Sequence, residues 1–379
     1  MSVRKRKWIT RNGEAKEAWI VDYTDQQGDR HIETFARKKE ADAYAQQVGV
    51  DVRTGTHTPV SKSITVAQAA EDWITSVGLE GREAATLVQY RQHARHIGKR
   101  IGNVKLAALT TPRINLFRDD LLATMSRAMA RKVMSSLKSL LRDAQRRGNV
   151  AQNVALGVKR IDADKRREGR LKVGVDIPTA DEIKAIINAA GPRKPLLMTA
   201  AFTGLRGSEL RGLRWEAVDL KGGELHVRQR ADRYNVMGEP KSRAGHRAVP
   251  LGPLVLNALR EWRLVCPRGE LGLVFPTADG GVASHNDLRR ALETAARTAG
   301  LTGPDGEPKF AGLHALRHFY ASWCIDPPDR GGQGLPPKVV QERLGHSSIV
   351  MTMDTYGHLF PAGDDASRRL ADAERALLG

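Results

Sequence analysis

Thr203-Gly204-Leu205-Arg206-Gly207-Ser208-Glu209-Leu210 places a glycine-bearing turn ahead of a helix start, with an arginine at the junction. Four later segments bear on its reading. They are Pro240-Lys241-Ser242, His314-Ala315-Leu316-Arg317-His318, Leu344-Gly345-His346 and Asp354-Thr355-Tyr356-Gly357. Arg206, Lys241, His314, Arg317, His346 and Tyr356 form a set with one chemical theme. Two guanidiniums, flat and permanently charged, suit the non-bridging oxygens of a phosphodiester. A tyrosine hydroxyl can form a covalent phosphate ester, a lysine can protonate a leaving oxygen, and imidazoles can move protons or hydrogen-bond phosphate.

Each residue alone has a plainer explanation. Arg206 could lie on a solvated helix, Tyr356 in a core, and Lys241, near Arg243 and Arg247, could be a nonspecific phosphate contact. Glu209, one turn beyond Arg206, could orient it or be an exposed helix charge. His314 and His318 have the i, i+4 spacing of a zinc pair, but Ala315 stands where the His-Glu-x-x-His motif needs its glutamate. No metal site is expected. The order and spacing of all five segments outweigh these separate explanations.

The 379-residue chain is long enough for two or three domains. Its formal net charge of +18 and pI near 10.1 favour a polyanionic partner. The charge is uneven: about +2 over residues 1–60, +12 over 61–170 and +4 over the remainder. No stretch is long and apolar enough for a membrane span, and the start Met1-Ser-Val-Arg-Lys-Arg-Lys7 does not lead into a signal peptide's apolar core. Cys266 and Cys324 are too few for a disulfide framework and read as small buried residues of a reducing compartment.

Residues 1–60 read as a β-β-β-α module. Its strands cover Lys7–Thr10, Glu17–Tyr23 and Arg30–Phe35, and its helix Lys38–Val48. Arg4–Lys7 could reach phosphates or be a tail, and Val50–Lys62 reads as a linker. Residues 63–160 predict four helices. Thr65 caps the first, with Ala67, Ala70, Trp73 and Ile74 on its apolar face. The second, Glu83–Lys99, bears Arg91, His93, Arg95, His96 and Lys99, with Arg100 just beyond. Thr111-Pro112 starts the third. The fourth, Ser126–Arg147, bears Arg131, Lys132, Lys138 and Arg142. Arg91, Arg95, Lys99, Arg131, Lys132, Lys138 and Arg142 are the candidate phosphate contacts.

Residues 161–170 read as a second linker. Thr179-Ala-Asp-Glu182 is a capping box, and Pro195–Phe202 a helix leading to Arg206. Strands are expected over Glu224–Arg230 and Arg243–Leu251, and helices over Gly252–Val265, Ser284–Ala299 (His285-Asn286-Asp287 as cap), His314–Ile325, Lys338–Leu344 and Ser348–Thr355. The segment 326–337, rich in proline and glycine, is expected to be irregular. After a break at 361–365, a last helix over Ser367–Leu378 would align Leu370, Ala373 and Leu377.

Taken together, the five segments resemble the tyrosine recombinases, the phage-integrase family of DNA strand-exchange enzymes. Arg317 and Tyr356 are 39 residues apart, and His346 falls ten before Tyr356, which fits that family. The resemblance implies an α+β, multidomain protein: an arm-type DNA-binding module (1–60), a four-helix core-binding domain (63–160), and a mainly helical catalytic domain with a small antiparallel sheet (175–379). It implies Tyr356 as nucleophile, Arg206 and Arg317 on the phosphate, and Lys241 (or Lys221, a weaker match) as the acid for the 5′-oxygen. His314 would handle the tyrosine proton and His346 would hydrogen-bond phosphate. No cofactor is implied. The implied partners are double-stranded DNA with core-type and arm-type attachment sites, sister protomers in a tetramer assembled on DNA from monomers, a host bending protein and an excisionase. The implied location is the cytoplasm, at the nucleoid. The last helix would pack on a neighbouring subunit. A type IB topoisomerase-like relaxer, a DNA-binding regulator with a vestigial site and a chromosome-dimer resolvase are the alternatives. The segment 326–337 departs from the family's shorter connection.

Overall fold

The computed structural model describes residues 1–9, 14–26, 28–55, 57, 59, 63–162, 170–361 and 366–378, excepting the side chains of 366–369, 372 and 373. Thr10, most of the expected linker at 161–170, and residues 362–365 of the expected break lie outside the described residues. The chain divides into two compact units, Met1–Glu168 and Gly169–Gly379.

In the first unit, β1 (Ser2–Ile9), β2 (Ala15–Thr24) and β3 (Arg30–Phe35) form an antiparallel meander. Alternation along β2 points Trp19, Val21 and Tyr23 to one face. There they pack with Ala41, Ala45 and Val48 of α1 (Lys38–Arg53). Arg4–Lys7 is no tail: it lies within β1 and pairs with Trp19, Ile20, Ala18 and Glu17 of β2. Because α1 continues to Arg53, the expected linker starts later than Val50.

A second core in the same unit joins α2 (Val66–Leu79), α3 (Ala84–Ile101), α4 (Thr111–Thr124) and α5 (Arg127–Arg146). Thr65 and Gln68 form a reciprocal capping box on α2, and Thr110 and Ser126 cap α4 and α5. The buried face of α2 is Val66, Ala69, Ala70, Trp73 and Val77; it keeps Ala70 and Trp73 of the expected stripe, while Ala67 and Ile74 are only partly buried. On α5, Leu137, Leu140 and Leu141 are fully buried, each contributing about 1.5–3 kcal/mol of apolar burial. His93 departs from expectation. It shares the inward face of α3 with Ile97 and Ile101, and its Nδ1 lies 2.8 Å from the Ser136 hydroxyl of α5.

The second unit is built around one core. Its elements are α6 (Ala180–Asn188), α7 (Lys194–Thr203), α8 (Gly207–Arg211), β4 (Val218–Asp219), β5 (Glu224–Val227), β6 (Arg230–Ala231), β7 (Met237–Gly238), β8 (Arg247–Pro250), α9 (Pro253–Val265), α10 (His285–Thr298), α11 (His314–Ile325), α12 (Pro337–Leu344), α13 (Ile349–Tyr356) and α14 (Ala366–Leu378). β4, β5 and β8 form a small antiparallel sheet, and β6–β7 a separate hairpin. The first expected strand therefore stops at Val227. The second begins only at Arg247, after a 3-10 turn over Arg243–Gly245. Ser284, with Asp287 as its reciprocal partner, caps α10, so His285 and Asn286 belong to its first turn.

The 326–337 segment is more ordered than its composition predicts. It makes a 3-10 turn at Pro328–Arg330 and folds back on α11. Gln333 and Leu335 donate backbone hydrogen bonds to the Trp323 and Cys324 carbonyls, and the Trp323 indole donates to Gly331. Cys324 is buried, but Cys266 is only partly so. On α14, Leu370 and Leu377 are exposed. No helix among the described residues is long and apolar enough to cross a membrane.

Candidate active site

Two helix C-termini hold the two arginines. α7 ends at Gly204 and α12 at Gly345, both left-handed (φ 61° and 62°), a conformation that glycine enters without Cβ strain. Arg317 Nη1 donates to the Gly204 carbonyl at 2.6 Å and Nη2 to the Leu344 carbonyl at 2.5 Å. Arg206 Nη2 donates to the Gly345 carbonyl at 3.0 Å. Unsatisfied carbonyls and the negative end of each helix dipole favour a cation there. Gly204 also has no room for a side chain, since a Cβ would run into the Tyr320 ring.

Arg206 is the N-cap of α8. Glu209, at the third helical position, accepts from the Arg206 backbone N–H at 2.9 Å and from its guanidinium at 2.8 Å. The same carboxylate accepts a fork from Arg247 on β8, at 2.8 and 3.2 Å. Arg247 also donates to the Arg343 and Gly245 carbonyls. Glu209 is only 3 % exposed. Burial alone would raise its carboxyl; the hydrogen bond and charge of Arg247, with Arg206, override this and hold it down at about 2. Glu209 therefore orients Arg206, and Arg247 is a member of the cluster that the sequence did not single out. Burial, then the neighbouring Arg206, lowers the Arg317 guanidinium from its ordinary value.

The tyrosine and the histidines complete the group. Tyr356, the last residue of α13, is 1 % exposed. Burial pushes its phenol up to about 12, with Arg317 and Arg206 pulling the other way. His346 is buried, its ring stacked parallel to Tyr356 with centroids 6.3 Å apart and its Nδ1 2.9 Å from the Thr352 hydroxyl. Burial, then Arg317, Arg206 and Arg247, lower it to about 4. His314 presents an exposed surface, and partial desolvation, Arg317 and Arg206 lower it.

The Tyr356 hydroxyl, however, lies 2.7 Å from Nδ1 of His318, the residue next to Arg317. The His314 and His318 rings stand edge to face at 4.8 Å. The zinc-pair spacing had drawn attention to His318, but its contact to the tyrosine depends on how α11 and α13 pack.

Arg206, Arg317, His346 and Tyr356 thus converge, with His314 at the edge. Lys241 is not in this buried cluster. It is exposed on the loop between β7 and the Arg243–Gly245 turn, four residues before the Gly245 carbonyl that binds Arg247. Lys221 is exposed in the β4–β5 turn. Arg211, at the end of α8, is buried. It donates to the Ala283 and Asp232 carbonyls and to the Asn235 side chain.

In the first unit, Arg91, Arg95 and Lys99 are exposed and, at i, i+4 and i+8, form one stripe along α3. Lys132 and Arg142 are exposed on α5, and Arg131 is partly so. Among the described residues none of these six is in a salt bridge. Lys138 differs, since its amine donates to the Val158 carbonyl at 3.3 Å. Arg100 is held by Asp120 and Thr124, and Arg147 by Asp143 and Ser76.

Comparison with known proteins follows the same lines. Residues 178–362 match the phage integrase family model. A tyrosine recombinase XerC-like protein of Caldanaerobacter subterraneus is 26% identical over 353 residues, covering 86% of each chain. The integrase of transposon Tn1549, solved with a circular intermediate DNA, aligns with 83% of this chain and 100% of its own at a TM-score of 0.66 and 20% identity. A lambda integrase dimer bound to a core site aligns with 92% and 93% at a TM-score of 0.59 and 21% identity. The match over 178–362 spans every residue of the cluster from Arg206 to Tyr356, so this part of the chain carries a phage integrase family domain and is similar to the tyrosine recombinases.

Proposed function

We propose that the protein is a site-specific integrase that cuts and rejoins DNA through a 3′-phosphotyrosyl intermediate at Tyr356, to integrate or excise a prophage or other mobile element. The observation that carries this reading is the convergence of Arg206, Arg317, His346 and Tyr356 from four separate helical segments. The two guanidiniums bind the non-bridging oxygens of the phosphate, their positions set by helix-terminal carbonyls and Glu209. Tyr356 attacks phosphorus and His346 hydrogen-bonds the phosphate, with His314 at the cluster's edge. Lys241 protonates the departing 5′-oxygen, and its loop moves to bring it there. The ester conserves the bond energy, so a 5′-hydroxyl from a partner duplex reverses the step and completes the exchange.

DNA is the partner. The +18 net charge and the exposed stripes on α3 and α5 supply sequence-independent phosphate contacts at core-type sites. The open face of the β1–β3 sheet serves arm-type sites. Protomers assemble as a tetramer on DNA, with α14 packing on a neighbour, and a host bending protein and an excisionase assist at the bacterial nucleoid.

A nicked duplex carrying the element–host junction tests this reading, because loss of the short fragment traps the covalent complex. Wild type gives a protein–DNA band on a denaturing gel and Tyr356→Phe gives none; no wild-type band despite tight binding overturns the reading. Lys241→Ala slows cleavage about 100-fold or more with binding retained. An equal loss of binding would make Lys241 a phosphate contact only.

A further inference from the structure

We propose that His318, rather than His314, is the catalytic base that takes the Tyr356 proton during strand cleavage; this rests on the recombinase reading above. The geometry selects it. The Tyr356 hydroxyl is 2.7 Å from His318 Nδ1, within the distance at which a proton passes directly. The phenol is 1 % exposed, so bulk water is a poor acceptor for it. His314 contacts the His318 ring edge to face at 4.8 Å and presents its own surface to solvent. His346 directs Nδ1 to the Thr352 hydroxyl at 2.9 Å and lies parallel to the phenol rather than in line with its oxygen.

The charges around His318 keep it in the form a base requires. Burial, then His314 and Arg317 on its own helix, lower its pKa to about 4, while Asp176, on the loop preceding α6, acts in the opposite sense. At neutral pH the imidazole is uncharged and free to accept. In the cleavage step the Tyr356 proton passes to His318 Nδ1 and the phenolic oxygen forms its bond to phosphorus. The bond from phosphorus to the 5′-oxygen breaks, and that oxygen takes a proton from the general acid. Religation returns both protons. As the phosphate anion settles against Arg206 and Arg317, the charge that had disfavoured an imidazolium is offset.

The test measures the rate of covalent-complex formation by the full chain on the nicked element–host junction duplex, from pH 6 to 9.5. Wild type, His318→Ala, His318→Asn, His314→Ala and Tyr356→Phe are compared. Asparagine can hold the hydroxyl near the position of Nδ1 but cannot carry its proton. Wild type is expected to be nearly flat above neutral pH. Both His318 variants should fall about 100- to 10,000-fold at pH 7 and recover about tenfold per pH unit, following the tyrosinate fraction. His314→Ala should keep a flat profile. A fluorinated tyrosine at position 356, with a more acidic phenol, should narrow the deficit of both His318 variants. Binding of the same duplex on a native gel checks folding, and His318→Asn carries the test if alanine unfolds the chain.

A wild-type rate and flat profile in His318→Asn would overturn the base assignment and leave only a positioning role. A steep profile in His314→Ala alone would give the role to His314. If wild type forms no complex that depends on Tyr356, the recombinase reading falls and this inference with it.

Discussion

In the second unit, the guanidiniums of Arg206, Arg211, Arg247 and Arg317 are held by eight backbone carbonyls, by Glu209 and by the Asn235 side chain. In the first unit, Arg91, Arg95, Lys99, Lys132 and Arg142 stand exposed on α3 and α5. One unit fixes its positive charges before a ligand arrives; the other leaves them to solvent and counterions. Fixed charge pre-organises a site for a single phosphate, because no reorganisation is left for the moment of reaction. Loose charge suits a long polyanion whose counterions are released along its length.

The largest effect that would break this contrast is at Glu209. Glu209→Ala leaves Arg247 buried without its carboxylate and removes the brace on Arg206. A stability loss of about 3–5 kcal/mol is expected in urea unfolding. The covalent complex should be lost even under conditions where the variant remains folded. A loss below about 1 kcal/mol would mean that the carbonyls alone hold the arginines. Next in size is Arg91→Ala/Arg95→Ala/Lys99→Ala. Folding should be unchanged, but the plot of log affinity against log salt should become shallower by about 2.7, at roughly 0.9 per phosphate contact. An unchanged slope would remove the α3 stripe from the DNA-binding surface.

What could be read from the sequence divides along a similar line. Tyr356, Arg206, Arg317 and His346 were legible because their chemistry and order are unusual and local motifs carry them. The cap at Thr65 and the capping box at Thr179 follow from short-range spacing. Arg247 was not legible as a partner of Glu209, since 38 residues and a sheet separate them. His318 stood in view, but its contact to Tyr356 arises from the packing of α11 against α13. His93 could have been placed correctly, because positions 93, 97 and 101 fall on one helical face with Ile97 and Ile101. Charge counting alone set it among the basic residues. The 326–337 segment lacked any periodic pattern because the hydrogen bonds that order it run to the end of α11.

The smallest expected effect is on acid stability, and it sharpens the contrast most finely. His318 and His346 titrate near 4 in the folded chain, below the ordinary value of about 6.5 for an unfolded one. The unfolded chain therefore takes up protons first as pH falls. Stability from the neutral imidazoles is complete above about pH 6.5 and is lost progressively between 6.5 and about 4. After allowance for partial solvent screening, lowering the pH from 7 to 5 should cost about 1–2 kcal/mol in urea unfolding. His346→Asn should reduce that loss, since asparagine gains no charge. His93 in the first unit is also lowered, by burial and then by Lys132 and His96, so His93→Asn is the matched control. Arginines already fixed beside His346 must oppose its protonation more strongly than the exposed Lys132 and the partly exposed His96 oppose that of His93. His346→Asn should therefore flatten the pH dependence more than His93→Asn does. Equal flattening would mean that burial alone lowers both imidazoles and that the fixed guanidiniums add nothing measurable in the folded, DNA-free protein.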